Sequence, residues 1–162
     1  MPSPSSRLPH ELIGNLWDFH RAESNCFIVI PTNGVLKANG DAVMGAGLAK
    51  QAAQQFPTLP KLLGQAIRDT GNAVYFWTDK RLFTLPTKHH WNAPSELALI
   101  QHGVERLALA MEEFPDSRVY CPLLGCGLGQ LDWPTVRAAI TPYVTDRMLF
   151  VSPSSPPASK RA

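Results

Sequence analysis

Short apolar runs alternate along the chain with segments of helical character, and this alternation limits the possible folds more than any other feature. The runs "CFIVIPTN" and "RVYCPLL" are continuous and rich in β-branched or aromatic residues, as is typical of strands buried on both faces. The segments "LAKQAAQQF" and "DWPTVRAAITPYV" favour helix, and "RMLFVS" is a final strand. Strands that alternate with helices predict an α/β fold, a sandwich with the sheet covered on both faces.

The middle of the chain adds two helices and a strand pair. Prolines near the start of "PTLPKLLGQAIRDTG" and Gly71 at its end predict a helix. The stretch "NAVYFWTDKRLFTLPT" predicts two strands around a turn at Asp79 and Lys80. Ser95 and Glu96 are expected to begin the helix "SELALIQHGVERLALAMEEF".

Length and composition predict one folded domain between two disordered ends. The chain has 162 residues and 44% hydrophobic content, enough for a single core. Pro/Ser-rich composition predicts disorder over residues 1–9 and 153–162, which leaves a folded domain over 10–152. The longest apolar runs are too short to span a bilayer, and the three cysteines form no disulfide framework, so we expect a cytoplasmic protein with no membrane contact. The net charge of +2 neither demands nor excludes a phosphate-bearing partner.

Two glycine-rich loops follow predicted buried strands. They are "MGAGLAK" at 44–50 and "LLGCGLGQLDW" at 123–133. Ligands of α/β sheets bind beyond the carboxyl ends of strands, and glycines before a helix N-terminus allow backbone amides to reach phosphate oxygens. Two such loops at one sheet edge favour a diphosphate ligand, although either loop alone could be a tight turn. Neither loop has the Gly-Lys-Ser/Thr ending of a P-loop or the full dinucleotide fingerprint, which disfavours a standard NTPase or dehydrogenase.

The stretch "RLFTLPTKHHWNAPSE" places a lysine, two histidines and a tryptophan between a strand and a helix. Lys88 could be a solvated cation, or a nucleophile or base held in the cleft by a rigid loop. His89 and His90 could transfer protons, but adjacent histidines lack metal-ligand spacing, and no metal site is expected. Trp91 could stack on a base or on adenine, although packing at the core or rim is the favoured interpretation.

Two features of the second loop have structural interpretations. Cys126 has no obvious partner that would activate a nucleophile. Asp132 and Trp133 directly precede Pro134, which predicts the cap and first turn of the next helix.

The motifs "MGAGLA", "PTKHHW" and "GCGLGQLDW", in this order, together resemble a macrodomain. The likeness extends from "IGNLWDF" to the last helix and implies a three-layer α/β/α sandwich with a mixed central sheet that binds ADP-ribose. More narrowly, the motifs are similar to the glycohydrolase class that contains terminal ADP-ribose protein glycohydrolase and the DNA ADP-ribosyl glycohydrolase DarG.

This resemblance also assigns site residues. Lys88 matches the catalytic lysine of the glycohydrolase class, and Asn33 matches the asparagine that contacts the distal ribose and orients it for catalysis. No cofactor is implied. The ADP-ribose contacts implied by the resemblance are Leu16, Asn33, Met44, Gly45, Ala46, Gly47, Leu48, Thr87, Leu124, Gly125, Cys126, Gly127, Leu128 and Gly129.

The sequence departs from the family pattern at three places. Asn15 stands where many macrodomains have an adenine-binding aspartate, so that contact would be weaker or would come from a neighbour such as Asp18. Gly129 stands where the protein-directed glycohydrolase has its catalytic aspartate, whereas the DNA-directed relatives share a glycine there. The linker "GVLKANGDAV" is longer than the corresponding linker of those relatives.

The function implied by the resemblance is hydrolysis of an ADP-ribosyl bond on a modified target, an ADP-ribosylated DNA base. The alternatives are a non-catalytic ADP-ribose-binding module, an ADP-ribose 1″-phosphate phosphatase and a glycohydrolase acting on ADP-ribosylated Glu or Asp of proteins. The implied partners are ADP-ribose, the ADP-ribosylated substrate including DNA, and an ADP-ribosyltransferase paired with the chain as toxin and antitoxin. We expect a monomer.

Overall fold

The computed structural model describes residues 10–153, with six strands and five helices. The predicted disordered ends lie outside the described residues, apart from Pro153. Two short 3-10 turns, Met111–Glu113 and Thr141–Tyr143, follow the last two helices. The strands are β1 His10–Ile13, β2 Cys26–Thr32, β3 Tyr75–Trp77, β4 Leu82–Pro86, β5 Arg118–Pro122 and β6 Met148–Ser152; the helices are α1 Leu16–Ala22, α2 Gly47–Gln55, α3 Leu59–Thr70, α4 Leu97–Ala110 and α5 Trp133–Ile140.

One six-stranded sheet has the order β1-β6-β5-β2-β4-β3. Neighbouring strands are parallel except for β3, which pairs with β4 in antiparallel register with Phe76 opposite Phe83. The sheet is therefore mixed, as the sequence resemblance implies. The parallel strands β2, β4, β5 and β6 all end at one sheet edge, which is where the loops with the candidate site residues begin.

Helices cover both faces of the sheet. On β2, Phe27 and Val29 belong to one hydrophobic cluster, which also contains buried residues of α4 and α5. Ile28 and Ile30 belong to a second cluster, which contains buried residues of α1, α2 and α3. Successive side chains of a strand point to opposite faces, so an unbroken apolar run is required where both faces are covered. This confirms the predicted three-layer arrangement.

The start of α4 differs from the prediction. Ser95 and Glu96 do not begin the helix, because the first helical residue is Leu97 and the Glu96 side chain makes no cap hydrogen bond. Glu96 is extended, and the Ser95 amide donates to the Gly129 carbonyl (2.9 Å) while the Glu96 amide donates to the Thr87 carbonyl (2.8 Å). The segment before α4 therefore joins the loop after β4 to the loop after β5.

Candidate functional site

A cavity of about 830 Å³ lies at the sheet edge where β2, β4, β5 and β6 end. Of the residues that the sequence analysis assigned to a site, those lining the cavity are Asn33, Met44, Gly45, Ala46, Gly47, Leu48, Thr87, Lys88, Gly125, Cys126, Gly127, Leu128 and Gly129. They come from loops far apart in sequence, so the parallel sheet brings them together as the rule for α/β folds predicts.

Leu16 and Leu124 are not among the lining residues. Leu16, the first residue of α1, is buried in the hydrophobic cluster that also contains residues of α2 and α3. Leu124 is buried in the cluster on the opposite face of the sheet. Both side chains pack behind the site rather than in it. The ligand contacts that the resemblance implies for these two residues stay predictions.

The first glycine loop is open to the cavity at its two glycines. A Cβ added at Gly45 or Gly47 would meet no heavy atom within 4 Å. Gly47 has a φ of +57°, a conformation that L side chains rarely adopt, and it begins α2. The first amides of α2 lack partners within the helix, as at any helix start, and this favours an anion.

The second glycine loop has one constrained glycine and one open glycine. Gly125 has a φ of +76°, which favours glycine, and a Cβ there would lie 2.7 Å from Ile100 Cδ1, so the Ile100 side chain would have to shift. A Cβ at Gly127 would meet nothing within 4 Å, and Gly127 does not have a positive φ. The absence of a side chain at Gly127 therefore has no packing reason within the described residues and leaves the backbone accessible from the cavity.

Gly129 is a packing requirement of the site. A Cβ added there would lie 2.1 Å from Ser95 Oγ, 2.6 Å from the Gly125 carbonyl oxygen and 2.9 Å from Ser95 Cβ. The Ser95 hydroxyl is buried and has no hydrogen-bond partner among the described residues. The space that an aspartate at position 129 would need is therefore occupied by Ser95 and the loop backbone.

The segment that carries Lys88 is held in place by backbone hydrogen bonds. The Asn72 side-chain amide donates to the Lys88 carbonyl (3.2 Å) and lies 3.1 Å from His89 Nδ1, while the Gly34 amide donates to the His89 carbonyl (3.1 Å). The Lys88 ammonium donates to the Trp91 carbonyl (3.3 Å). Lys88 lines the cavity, and its side chain is half-buried. The hydrogen bonds to the carbonyls of Lys88 and His89 hold the backbone and so limit where this side chain can reach.

Asn33 holds the linker that precedes the first glycine loop. Its Nδ2 donates to the Val43 carbonyl (3.1 Å), and its Oδ1 accepts from the Val35 amide (2.9 Å). An asparagine side chain has two N–H donors and two acceptor lone pairs, so one of each is left for a ligand. The longer linker itself folds back as a small loop, with the Lys37 amide donating to the Asp41 carbonyl (2.7 Å).

Asn15 has a structural role at the start of α1. Its side chain caps α1 by accepting from the Trp17 amide (2.8 Å). Asp18 is exposed and forms an ion pair with Arg21 (2.6 Å). Neither Asn15 nor Asp18 lines the cavity, so the predicted adenine contact from this segment is not placed at the cavity wall.

The remaining polar candidates of the motifs make local contacts. His89 Nε2 lies 4.0 Å from a Glu96 carboxylate oxygen, and His90 Nδ1 accepts from the Asn92 amide (3.3 Å). Burial raises the pKa of the Cys126 thiol to about 12, with the nearby Asp132 adding to the shift. The thiol is therefore protonated at neutral pH, in agreement with the prediction that Cys126 is not an activated nucleophile. Asp132 caps α5 as predicted, accepting from the Thr135 amide (3.2 Å).

The sequence analysis missed or misjudged several residues of the site. Trp91 is 54% exposed and lines the cavity, so of the two predicted positions, core or rim, the structure places it at the rim. Ser95 and Ser152 also line the cavity but carry no motif of their own. Asn72, which holds the Lys88 backbone, lies in a turn after α3, and nothing in its local sequence indicates a role at a site formed by later residues.

Neither a metal cluster nor a membrane span is present in the described part of the chain. No three His, Cys, Asp or Glu side chains within residues 10–153 are grouped so that they could hold a metal ion. None of the helices there is both long enough and apolar enough to cross a membrane.

Comparison with curated proteins finds relatives, although no protein-family model matches the sequence. A protein of Mycobacterium tuberculosis named DNA ADP-ribosyl glycohydrolase is 34% identical over 106 residues, which are 58% of this chain and 29% of the relative. One of Thermus aquaticus with the same name is 29% identical over 114 residues, covering 63% of this chain and 31% of the relative. The chain therefore spans about a third of the length of these relatives.

Solved structures show the same architecture over nearly the whole described chain. The macrodomain of Thermus aquaticus DarG has a TM-score of 0.71 and 25% identity, covering 89% of this chain and 97% of that structure. The macrodomain of Mycobacterium tuberculosis DarG has a TM-score of 0.70 and 28% identity, covering 90% and 99%. This chain therefore has the macrodomain fold, and the DarG macrodomains are among the structures that it resembles.

Proposed function

We propose that the chain hydrolyses the bond between ADP-ribose and a modified DNA base. The observation that carries this proposal is the lining of one cavity by two open glycine loops and by Lys88. The name DNA ADP-ribosyl glycohydrolase, which the curated relatives bear, supports the same substrate class.

In this proposal the glycine loops hold the diphosphate. Gly45 and Gly127 leave room at the cavity wall for phosphate oxygens to reach backbone amides, and the start of α2 adds a partial positive charge. Asn33 contacts the distal ribose with the N–H and lone pair that its own backbone hydrogen bonds leave over. Holding the diphosphate and the distal ribose orients C1 of that ribose towards Lys88.

The reaction breaks the bond between C1 of the distal ribose and a nitrogen of the base. Water supplies its hydroxyl to C1 and its remaining proton to the base nitrogen. The products are free ADP-ribose and the unmodified base. Lys88 assists at C1 in one of two ways: its neutral amine attacks the carbon and water then releases the sugar, or its cation stabilises the charge that develops as the base leaves. The Lys88→Arg variant in the Discussion separates the two.

The packing around Gly129 is compatible with a heterocyclic base as the leaving group. An acid at position 129 has no space, so that position supplies no proton to the leaving atom. A heterocyclic base spreads negative charge over its ring and needs less acid assistance than an amine. The lack of an acidic side chain at position 129 also disfavours the two-residue mechanism of the protein-directed glycohydrolase.

We further propose that the chain acts together with an ADP-ribosyltransferase that makes its substrate. A curated protein of Thermosipho africanus, named as a fusion of DNA ADP-ribosyl transferase and DNA ADP-ribosyl glycohydrolase, is 25% identical over 162 residues, covering 85% of this chain. A fusion of the two activities in a relative supports a functional pair in which one enzyme adds the group and the other removes it.

The test of the proposed function is incubation with four ligands in parallel. They are ADP-ribosylated single-stranded DNA, protein ADP-ribosylated on glutamate, ADP-ribose 1″-phosphate and free ADP-ribose, with released product measured by chromatography and binding by calorimetry. We expect release of ADP-ribose from the DNA and a rise in melting temperature with free ADP-ribose. Binding without turnover of any substrate would make the chain a reader of ADP-ribose; no binding at millimolar ADP-ribose would refute the site.

The open glycines provide a direct test of the diphosphate site. Valine at Gly45 or Gly127 places a branched side chain where the proposal puts phosphate, and no protein atom lies within 4 Å of either Cβ position. Neither glycine has a positive φ, so the fold should survive both changes. We expect Gly45→Val and Gly127→Val to weaken ADP-ribose binding by about tenfold or more, measured by calorimetry, with a melting temperature of the free protein close to the parent's.

The matched control is Gly71→Ala at the end of α3, which lies outside the cavity lining and is also open, but has a φ of +110°. It should lower stability and leave ADP-ribose affinity unchanged. Normal ADP-ribose affinity in both valine variants would show that Gly45 and Gly127 are only turn residues.

A further inference from the structure

Trp91 is the exposed tryptophan of this fold. Trp17 and Trp133 are buried in the hydrophobic clusters, whereas Trp91 is 54% exposed and lines the cavity. Leu128, on the second glycine loop, is 70% exposed and lines the same cavity. Large apolar side chains that are exposed at a cavity wall are typical of ligand contacts.

The backbone places Trp91 beside the group that acts on C1. The Trp91 carbonyl oxygen accepts from the Lys88 ammonium at 3.3 Å, so the two residues share one short loop at the cavity wall. The proposed function puts Lys88 at C1 of the distal ribose, and Trp91 follows it by three residues in the same loop.

We propose that the Trp91 indole stacks on the nucleobase from which ADP-ribose is removed and thereby selects a modified base over a modified carboxylate side chain. The inference rests on the proposed function, since it takes Lys88 as the group at C1. Every nucleobase has a flat π-face that stacks on an aromatic ring, and a glutamate or aspartate side chain has none. Base stacking also holds the leaving group in line with the bond that breaks.

The neighbouring ring supports the orientation of the indole. The His90 and Trp91 ring centroids lie 5.3 Å apart with planes inclined by 31°, and His90 is tied to its own loop by the bond from the Asn92 amide. A ring that is held by a neighbour loses less conformational entropy when it stacks on a ligand. No other aromatic ring contact of Trp91 is present within residues 10–153.

The experiment compares Trp91→Ala and Trp91→Phe with the parent. Because Lys88 contacts the backbone carbonyl of Trp91, both variants keep that contact. On ADP-ribosylated single-stranded DNA we expect Trp91→Ala to lower kcat/KM by about tenfold or more and Trp91→Phe to stay within a few-fold of the parent. Free ADP-ribose affinity should remain within about twofold in both variants, since the leaving base is absent from that ligand.

The control variant is Leu109→Ala, an exposed apolar residue of α4 outside the cavity lining, which should leave turnover and binding unchanged. Three results would overturn the inference. They are unchanged turnover in Trp91→Ala, an equal loss of free ADP-ribose affinity, which would place the ring on ADP-ribose itself, or an equal loss of turnover on glutamate-linked ADP-ribose.

Failure of the proposed function is detected separately by binding. In a Lys88→Ala background, which holds the substrate intact, affinity is measured for the ADP-ribosylated oligonucleotide, the unmodified oligonucleotide and free ADP-ribose. We expect the modified oligonucleotide to bind tighter than free ADP-ribose, and adding Trp91→Ala to remove that difference. If the parent hydrolyses nothing but this difference is present and depends on Trp91, the stacking role stands and the hydrolase proposal falls; if no difference exists, the stacking role falls.

Discussion

Replacement of Lys88 by alanine is expected to lower turnover of ADP-ribosylated DNA by a factor on the order of 100 or more. Free ADP-ribose should still bind within a few-fold of the parent affinity, because an interaction made only in the transition state changes rate and not ground-state binding. The measurement is single-turnover release of ADP-ribose alongside calorimetry. Lys61, exposed on α3 and outside the cavity lining, is the matched control, and Lys61→Ala should behave as the parent does.

Lys88→Arg distinguishes the two ways in which the lysine can act. A guanidinium keeps the positive charge but does not readily deprotonate to attack carbon. Poor rescue by arginine therefore supports attack by the amine, and substantial rescue supports electrostatic assistance. If Lys88→Ala releases ADP-ribose as fast as the parent, Lys88 is not catalytic and its bond to the Trp91 carbonyl is a loop contact.

Gly129→Asp is expected to destabilise the fold and not to add an acid to the site. Rotation of the Ser95 hydroxyl would relieve only one of the close contacts, since the Gly125 carbonyl oxygen (2.6 Å) and Ser95 Cβ (2.9 Å) would remain. Forcing extra atoms into a packed region costs about 1–3 kcal/mol, which for a domain of this size lowers the melting temperature by several degrees. Thermal unfolding of the free protein measures this.

The matched control is the same substitution two residues away. Gly127→Asp places its Cβ in open space, so its melting temperature should stay close to the parent's while its negative charge weakens ADP-ribose binding. Gly129→Asp with parent stability, or with new activity on glutamate-linked ADP-ribose, would contradict the packing argument. The Ser95→Ala/Gly129→Asp double variant should recover part of the lost stability, because it removes the nearest atom.

Much of the fold follows from periodicity and turn chemistry. The run "CFIVI" is apolar at every position because alternate residues face different helix layers, and Gly71 ends α3 with a φ of +110° that other residues adopt rarely. These local sequence patterns predict the structure correctly because the tertiary packing favours the same conformations. The start of α4 is the exception, since a cap sequence at Ser95 gave way to backbone hydrogen bonds with Gly129 and Thr87.

The sequence by itself determined which loops meet at the site. Parallel strands of an α/β sheet all end at the same edge, so the loops that follow them meet there. The order of elements therefore predicted which loops line the cavity, although not every lining residue. Only the tertiary structure decided what each position does there. Leu16 and Leu124 are core residues, Ser95 fills the space beside Gly129, and Asn72 holds the Lys88 backbone. These roles depend on contacts between residues distant in sequence, and side-chain identity and local spacing do not encode which distant atom will fill a given space.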